Sequence, residues 1–178
     1  TKKAARCFYA LEQNRADRKR YPAVNPIDSY SKYIEYPEFE EYIKTKIKGD
    51  WIGKVNQMKT LLQRGKEVQE QINILGDDGV PVDYHVTFWK SEVIDFVILQ
   101  QDAFDKIDSV CPLERQEYML NLVMDICNKE FNFETFLDVM DYFKRIINIC
   151  KQMNYSEFHS PQFEEYLTKL NELLKEQE

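Results

Sequence analysis

With 178 residues, 43% of them apolar and 13% aromatic, the chain is long enough for one compact domain with a sizeable core and an added arm. Its net charge of -7 argues against a generally basic surface of the kind that binds nucleic acid or an anionic membrane. No apolar run reaches the roughly eighteen residues of a membrane helix and no signal peptide is visible, so a reducing, cytosolic setting is expected.

Taken in chain order, RCFYALE (6–12) mixes aromatic and small apolar residues and predicts a short strand. KRYPAVNPIDSYSKY (19–33) follows, with Pro22 and Pro26 forcing Tyr21 and Asn25 into extended conformations and presenting the Tyr21 ring from a stiff loop. Asp50 is a plausible N-cap for a long amphipathic helix whose buried stripe runs through Trp51, Val55, Met58, Leu62, Val68, Ile72 and Leu75. LGDDGVPVDY (75–84) makes a turn, with two glycines, paired aspartates and a proline. A second helix is expected from about His85 to Gln101, burying Val86, Trp89, Val93, Phe96 and Val97.

A third helix is expected from Pro112, placed at its first position, to Asn128. FNFETFLDVMDYFKRIINICKQM (131–153) reads as a fourth. Ser160 and Pro161 then cap and open a final helix that buries Phe163, Leu167, Leu170 and Leu174. The fold class expected is mainly α: a bundle of about five helices with an extended N-terminal arm. The domain division expected is 1–33 for arm and proline-rich loop, and 34–178 for the helical body.

Most chemistry-bearing patterns fail on spacing. GDWIGKV (49–55) imitates a phosphate loop but has three residues between its glycines and Val55 after the lysine, so it lacks the magnesium-binding hydroxyl. Cys7, Cys111, Cys127 and Cys150 lie far apart and offer no zinc pattern; Cys127 and Cys150 sit on apolar helical faces as small hydrophobes. His85 and His159 have no partner at metal-ligand spacing and read as surface or helix-end residues. The apolar stripe of 131–153 is either core, the commoner case, or a groove for a partner helix. That groove would suit a stand-alone helical interaction module.

Residues 1–20 are locally basic, with Lys2, Lys3, Arg6, Arg15, Arg18, Lys19 and Arg20 against Glu12 and Asp17. Such an arm either meets phosphates or forms salt bridges against a larger body, and the acidic remainder favours the second. In LQQDAFDKID (99–108), Ala103 and Phe104 interrupt a polar run after a helix. Two aromatics on separate loops, Tyr21 and Phe104, are what a purine slot needs, since a base stacks on either face. Core packing of Phe104 is the equal alternative.

These segments resemble the catalytic A subunits of V/A-type rotary ATPases. ADRKRYPAVNPIDSYSKY is similar to the stretch after the nucleotide-binding core, with YPAVNPIDS shared by the F-type β subunit. LQQDAFDKID is similar to the matching downstream segment, and ILGDDGVPVDYHV stands where that family places a rotor-facing helix-turn-helix. The three occur in the family's order and together span about residues 6–108.

The resemblance implies that Tyr21 packs against the adenine of ATP, that Ala103 and Phe104 border the same ring, and that Gln100 and Gln101 line the pocket edge. Asp102 stands where the family carries asparagine. It further implies a rotor contact from Gly76, Asp77, Asp78, Gly79, Val80, Pro81 and Val82. The expected partners are B subunits of a hexameric head and a central-stalk rotor subunit, with no nucleic acid and no direct membrane insertion. The expected place is the cytoplasmic, peripheral head of a membrane-bound, ion-translocating complex.

The family's phosphate loop, magnesium-binding acid and catalytic glutamate lie upstream of this region. The chain therefore reads as the C-terminal part of a longer subunit. ATP or ADP belongs to the full subunit, with Mg held by the missing core; the fragment alone is expected to carry no cofactor, no catalytic residue, no metal site and no ATPase activity. Its arm is expected to be partly mobile or differently packed.

Overall fold

A computed structural model of the chain describes residues 4–177; Lys2 and Lys3 of the basic arm lie outside them. The arm comprises strand β1 (Cys7–Leu11), a short helix α1 (Gln13–Asp17) and strand β2 (Val24–Ser31). β1 and β2 pair antiparallel, with Phe8 opposite Tyr30 and Ala10 opposite Asn25. The register slips between those pairs, and the bulge explains how Pro26 fits inside a strand: a residue without an amide donor belongs where the ladder is interrupted. Asn25 holds the bulge, its Oδ1 accepting from the amides of Ile27 at 2.8 Å and Asp28 at 3.0 Å. The Tyr21–Pro22 peptide bond is cis.

A 3-10 turn (Lys32–Glu35) leads to α2 (Pro37–Lys46), an exposed helix that the apolar periodicity did not mark. α3 (Trp51–Leu75) starts at the expected cap, where Asp50 Oδ1 accepts from Gly53 N at 2.8 Å. Met58 and Val68 are buried and most of the stripe is half-buried, but Leu75 is exposed. The reason is length: the last turn of α3 projects past the body, and residues 73–79 are all exposed. A 3-10 turn (Asp77–Gly79) reverses the chain into α4 (Val82–Ile94), so α3 and α4 form a helical hairpin.

α4 does not end as an ordinary helix. It widens into a π turn (Asp95–Leu99), and near that helix end the unpaired Val97 carbonyl accepts from Asn154 Nδ2 at 2.9 Å. α5 (Leu113–Asn128) follows Pro112, which stands at the cap rather than at the first helical position. α6 (Phe136–Asn154) begins five residues later than the apolar pattern suggested, because Thr135 and Asp138 form a reciprocal capping box. Phe131 and Phe133 instead form an extended lead-in that packs on Tyr142 and Phe143 with ring centroids 5.2–6.4 Å apart. α7 (Pro161–Lys175) opens as expected, Ser160 Oγ accepting from Phe163 N at 3.2 Å.

The core is built from α4 to α7, with Val93, Val123, Val139, Phe143, Ile146, Phe163 and Leu170 essentially free of solvent. The stripe of α6 is thus core and not a partner groove. Arg115, buried beneath, donates through Nη2 to the last carbonyls of α6, Met153 O at 2.9 Å and Asn154 O at 2.5 Å. The fold is mainly α, as expected. Among the described residues no helix is long and apolar enough to cross a membrane.

One histidine reading is overturned. His85 is not at the surface but 2% exposed, stacked on Phe136 with centroids 5.3 Å apart and with Nε2 3.0 Å from Asp77 O. It ties the hairpin turn to α6. His159 does stand at a helix start, its Nδ1 2.9 Å from Glu164 Oε1.

Candidate functional site

The proline loop and the loop after α4 come together. Gln101 N donates to Tyr21 O at 3.0 Å, joining residues eighty apart in sequence by one backbone bond. Both loops are stiff for local reasons. The proline loop is braced by its bulge. The second loop caps itself: Asp105 Oδ1 accepts from the amides of Ile107 and Asp108 at 2.8 Å each, and Asp102 Oδ1 accepts from Phe104 N at 2.9 Å. Asp108 closes the ring, Oδ2 accepting from Asp102 N at 2.6 Å and its carbonyl from Gln101 Nε2 at 2.7 Å. Burial pushes the Asp108 carboxyl up, resisted by the Asp102 amide and by Arg115.

On this frame the aromatic rings face water. Tyr21 is 54% exposed and Phe104 is 98% exposed, with Ala103 exposed beside it. Single exposed rings are common on protein surfaces; what marks these two is that they stand on loops joined by one backbone hydrogen bond. Gln100 and Gln101 turn the other way. They line a cavity of about 470 Å³ that runs inward past Trp51, Met58 and Met119, and neither Tyr21, Ala103 nor Phe104 borders it.

The basic arm is pinned to the body. Arg20 reaches across to α4, with Nη2 2.6 Å from Glu92 Oε2, Nη1 paired to Asp95, and its guanidinium 4.2 Å from the centroid of the Phe96 ring. Burial opposes the charge on Arg20, but Glu92 and Asp95 more than offset it and raise its pKa. Arg15 Nη1 donates to Asp95 Oδ1 at 2.6 Å. These arginines act as salt-bridge partners rather than as a phosphate patch. Sequence reading could not name Glu92 or Asp95 as their partners across more than seventy residues.

The turn expected to meet a rotor is partly inward. Gly76, Asp77, Asp78, Gly79 and Pro81 are exposed, Val82 is half-buried, and Val80 is buried. Ile74, 81% exposed, and Leu75, which the stripe pattern assigned to the core, take its place at the tip. Between Glu70 and Trp89 there is no lysine or arginine, whereas Glu70, Asp77, Asp78 and Asp83 are present. The projecting end of the hairpin is therefore apolar and acidic. Among the described residues no three His, Cys, Asp or Glu side chains converge as metal ligands.

Comparison with known proteins resolves the family. Residues 40–144 match the model of the C-terminal domain of V and A type ATP synthase. The chain belongs to that family. It is 31% identical over 175 residues to the V-type ATP synthase alpha chain of Borrelia duttonii, covering 98% of this chain and 28% of that protein. It is 33% identical over 168 residues to the V-type ATP synthase alpha chain of Chlamydia trachomatis serovar L2, covering 94% of this chain and 28% of the other.

The chain thus spans under a third of the length of the curated relatives it matches. A solved structure, that of the ATP synthase subunit NeqB from Nanoarcheaum equitans, superposes with a TM-score of 0.52 over 71% of this chain and 29% of that one. At 13% identity that likeness speaks for the fold alone. This chain corresponds to the C-terminal part of a V/A-type ATP synthase A subunit.

Proposed function

We propose that this chain supplies one wall of the adenine pocket of an ATP-binding A subunit and the projecting hairpin that meets the central rotor. The observation that carries the first half is the Gln101 N to Tyr21 O bond, which sets two exposed aromatic loops on one frame. Tyr21 and Phe104, with Ala103, offer flat apolar surface to a base; Gln100 and Gln101 brace the loop from its inner side. The sequence holds no phosphate-loop pattern, so the phosphate and magnesium contacts of ATP would come from the rest of the subunit. ATP bound there would supply the phosphoryl-transfer chemistry; these residues only seat and orient its base.

In this reading residues 1–33 are the end of the nucleotide-binding domain and 34–178 the helical domain. The second half rests on the α3–α4 hairpin, whose tip carries Ile74, Leu75, Asp77 and Asp78 in water. Movement of the frame and movement of the tip are mechanically linked, because α4 runs from one to the other and its π turn leads directly into Gln100 and Gln101. Coupled to a rotor and to B subunits in the peripheral head, this lever would connect ATP turnover with H⁺ or Na⁺ transport.

The deciding experiment is nucleotide binding by the complete subunit. Tyr21→Ala and Phe104→Ala each weaken ATP by about 1–3 kcal/mol, the usual loss for a base–aromatic stack. Unchanged affinity in both variants refutes the adenine wall. The 178-residue chain alone hydrolyses no ATP, and measurable turnover by it would refute the division of labour.

A further inference from the structure

Phe104 is 98% exposed, so among the described residues no packing fixes its ring and the backbone of its own loop decides where it stands. That backbone is held from one place. Asp108, half-buried, is bonded through side chain, carbonyl and amide: Oδ2 accepts from Asp102 N at 2.6 Å, the carbonyl accepts from Gln101 Nε2 at 2.7 Å, and the amide donates to Asp105 Oδ1 at 2.8 Å.

One bond further along each branch reaches an aromatic residue. Asp102 Oδ1 accepts from Phe104 N at 2.9 Å, and Gln101 N donates to Tyr21 O at 3.0 Å. Asp108 itself bonds neither Tyr21 nor Phe104 among the described residues, and it lines the inner cavity that neither of them borders. It stands behind the rings and acts on them through its neighbours.

The two branches depend on different atoms of Asp108. Gln101 is held by the carbonyl, which a side-chain substitution leaves in place, so the branch to Tyr21 survives it. Asp102 is held by the carboxylate, and an ionised acceptor makes a shorter and stronger bond to an amide than a neutral one. Without that carboxylate the Asp102 amide loses its partner, and the 102–104 turn that carries the ring loses its anchor.

We infer that Asp108 is the positioning residue for Phe104, its carboxylate holding the ring in place for the adenine base through Asp102. The inference rests on the adenine-wall reading and adds to it a residue that touches no nucleotide. Its contribution is preorganisation: a ring already in place costs less ordering when the base arrives.

The test is a mutant cycle in the complete subunit, read as affinity for ATP and for inorganic triphosphate. Asp108→Ala should weaken ATP by about threefold or more, and by no more than Phe104→Ala does. It should have the same effect beside Tyr21→Ala, but change ATP affinity by less than about twofold beside Phe104→Ala. Asp108→Asn, which keeps an oxygen acceptor at the site, should bring ATP affinity back to within about twofold. Triphosphate, which has no base to stack, should bind all variants equally.

The inference is overturned if Asp108→Ala leaves ATP affinity unchanged while Phe104→Ala lowers it. A full Asp108→Ala loss beside Phe104→Ala, a parallel loss of triphosphate, or no recovery in Asp108→Asn overturns it equally. Unchanged ATP affinity in Phe104→Ala itself would remove that ring from the adenine wall and this inference with it, so the two failures are told apart. Should Asp108→Ala fail to fold, Asp108→Glu, which keeps the charge and displaces the acceptor by a methylene, takes its place in the same cycle.

Discussion

Gly65 lies where α3 crosses α4, and replacing it with alanine tests how tightly the hairpin is clamped. A Cβ at that position would stand 1.9 Å from Ser91 Oγ and 2.4 Å from Ser91 Cβ. Both residues are buried, and the Ser91 hydroxyl is held by donation to Phe88 O at 2.6 Å. Three magnitudes compete. Alanine gains about 1 kcal/mol over glycine in helix propensity. Overpacking costs about 1–3 kcal/mol, and a displaced Ser91 loses a hydrogen bond of about 1 kcal/mol.

The sum is a net loss of about 1–3 kcal/mol for Gly65→Ala, where propensity alone would promise a gain. In a chain of this size that lowers the melting temperature by about 2–12 °C, readable by circular dichroism. Ser91→Gly removes the obstructing Cβ, so the double variant should be more stable than the two single losses predict, by about 1 kcal/mol or more. A Gly65→Ala protein that melts higher than the parent, or a strictly additive cycle, refutes the close-contact account.

Three further outcomes are expected. Arg20→Met leaves half-buried Glu92 without its partner and buried Asp95 with only Arg15, so stability should fall by about 1–3 kcal/mol and amide exchange at Glu12 should quicken; unchanged exchange would deny that the arm is held by this pair. His85→Leu should unfasten the 77–79 turn, raising its exchange rate while leaving that of α7 unchanged.

The buried Cys127 and Cys150 thiols are pushed by burial from 9.0 to about 12. Unfolded, each loses its proton near pH 9; folded, each keeps it to about pH 12, so the folded chain binds more protons between those values and stability falls as pH rises. The slope is about 1.4 kcal/mol per pH unit per thiol. Urea titrations at about pH 9 and 10 should show the slope shrink in Cys150→Ala, and an unaltered slope would contradict the assignment.

Helices with one wet face were legible because their apolar spacing repeats, and the caps at Asp50 and Ser160 could be read from residue type alone. α6 was misjudged at its start because Phe131 and Phe133 continue the apolar run; the Thr135–Asp138 spacing carried the right signal. His85 defeats local reading, since only its contact with Phe136, far along the chain, makes burial tolerable. The same holds for the arginine clamp, the Gly65–Ser91 crossing and the π turn, each fixed by packing between distant segments. In the candidate site, the two aromatic loops were legible as loops. Their joining at Gln101 was not, because a backbone bond leaves no mark on residue identity.

That single bond changes what opening can mean. Tyr21 and Phe104 ride on loops fastened to each other by one backbone bond, so the two loops are expected to move together rather than to part like tweezers. On the proposed adenine-wall reading, a base seated against them is released by withdrawal of both loops from whatever grips the phosphates rather than by a parting of the loops. Distance probes placed on residues 21 and 104 would then stay constant through a catalytic cycle, and the stroke would be recorded only against a mark elsewhere in the subunit.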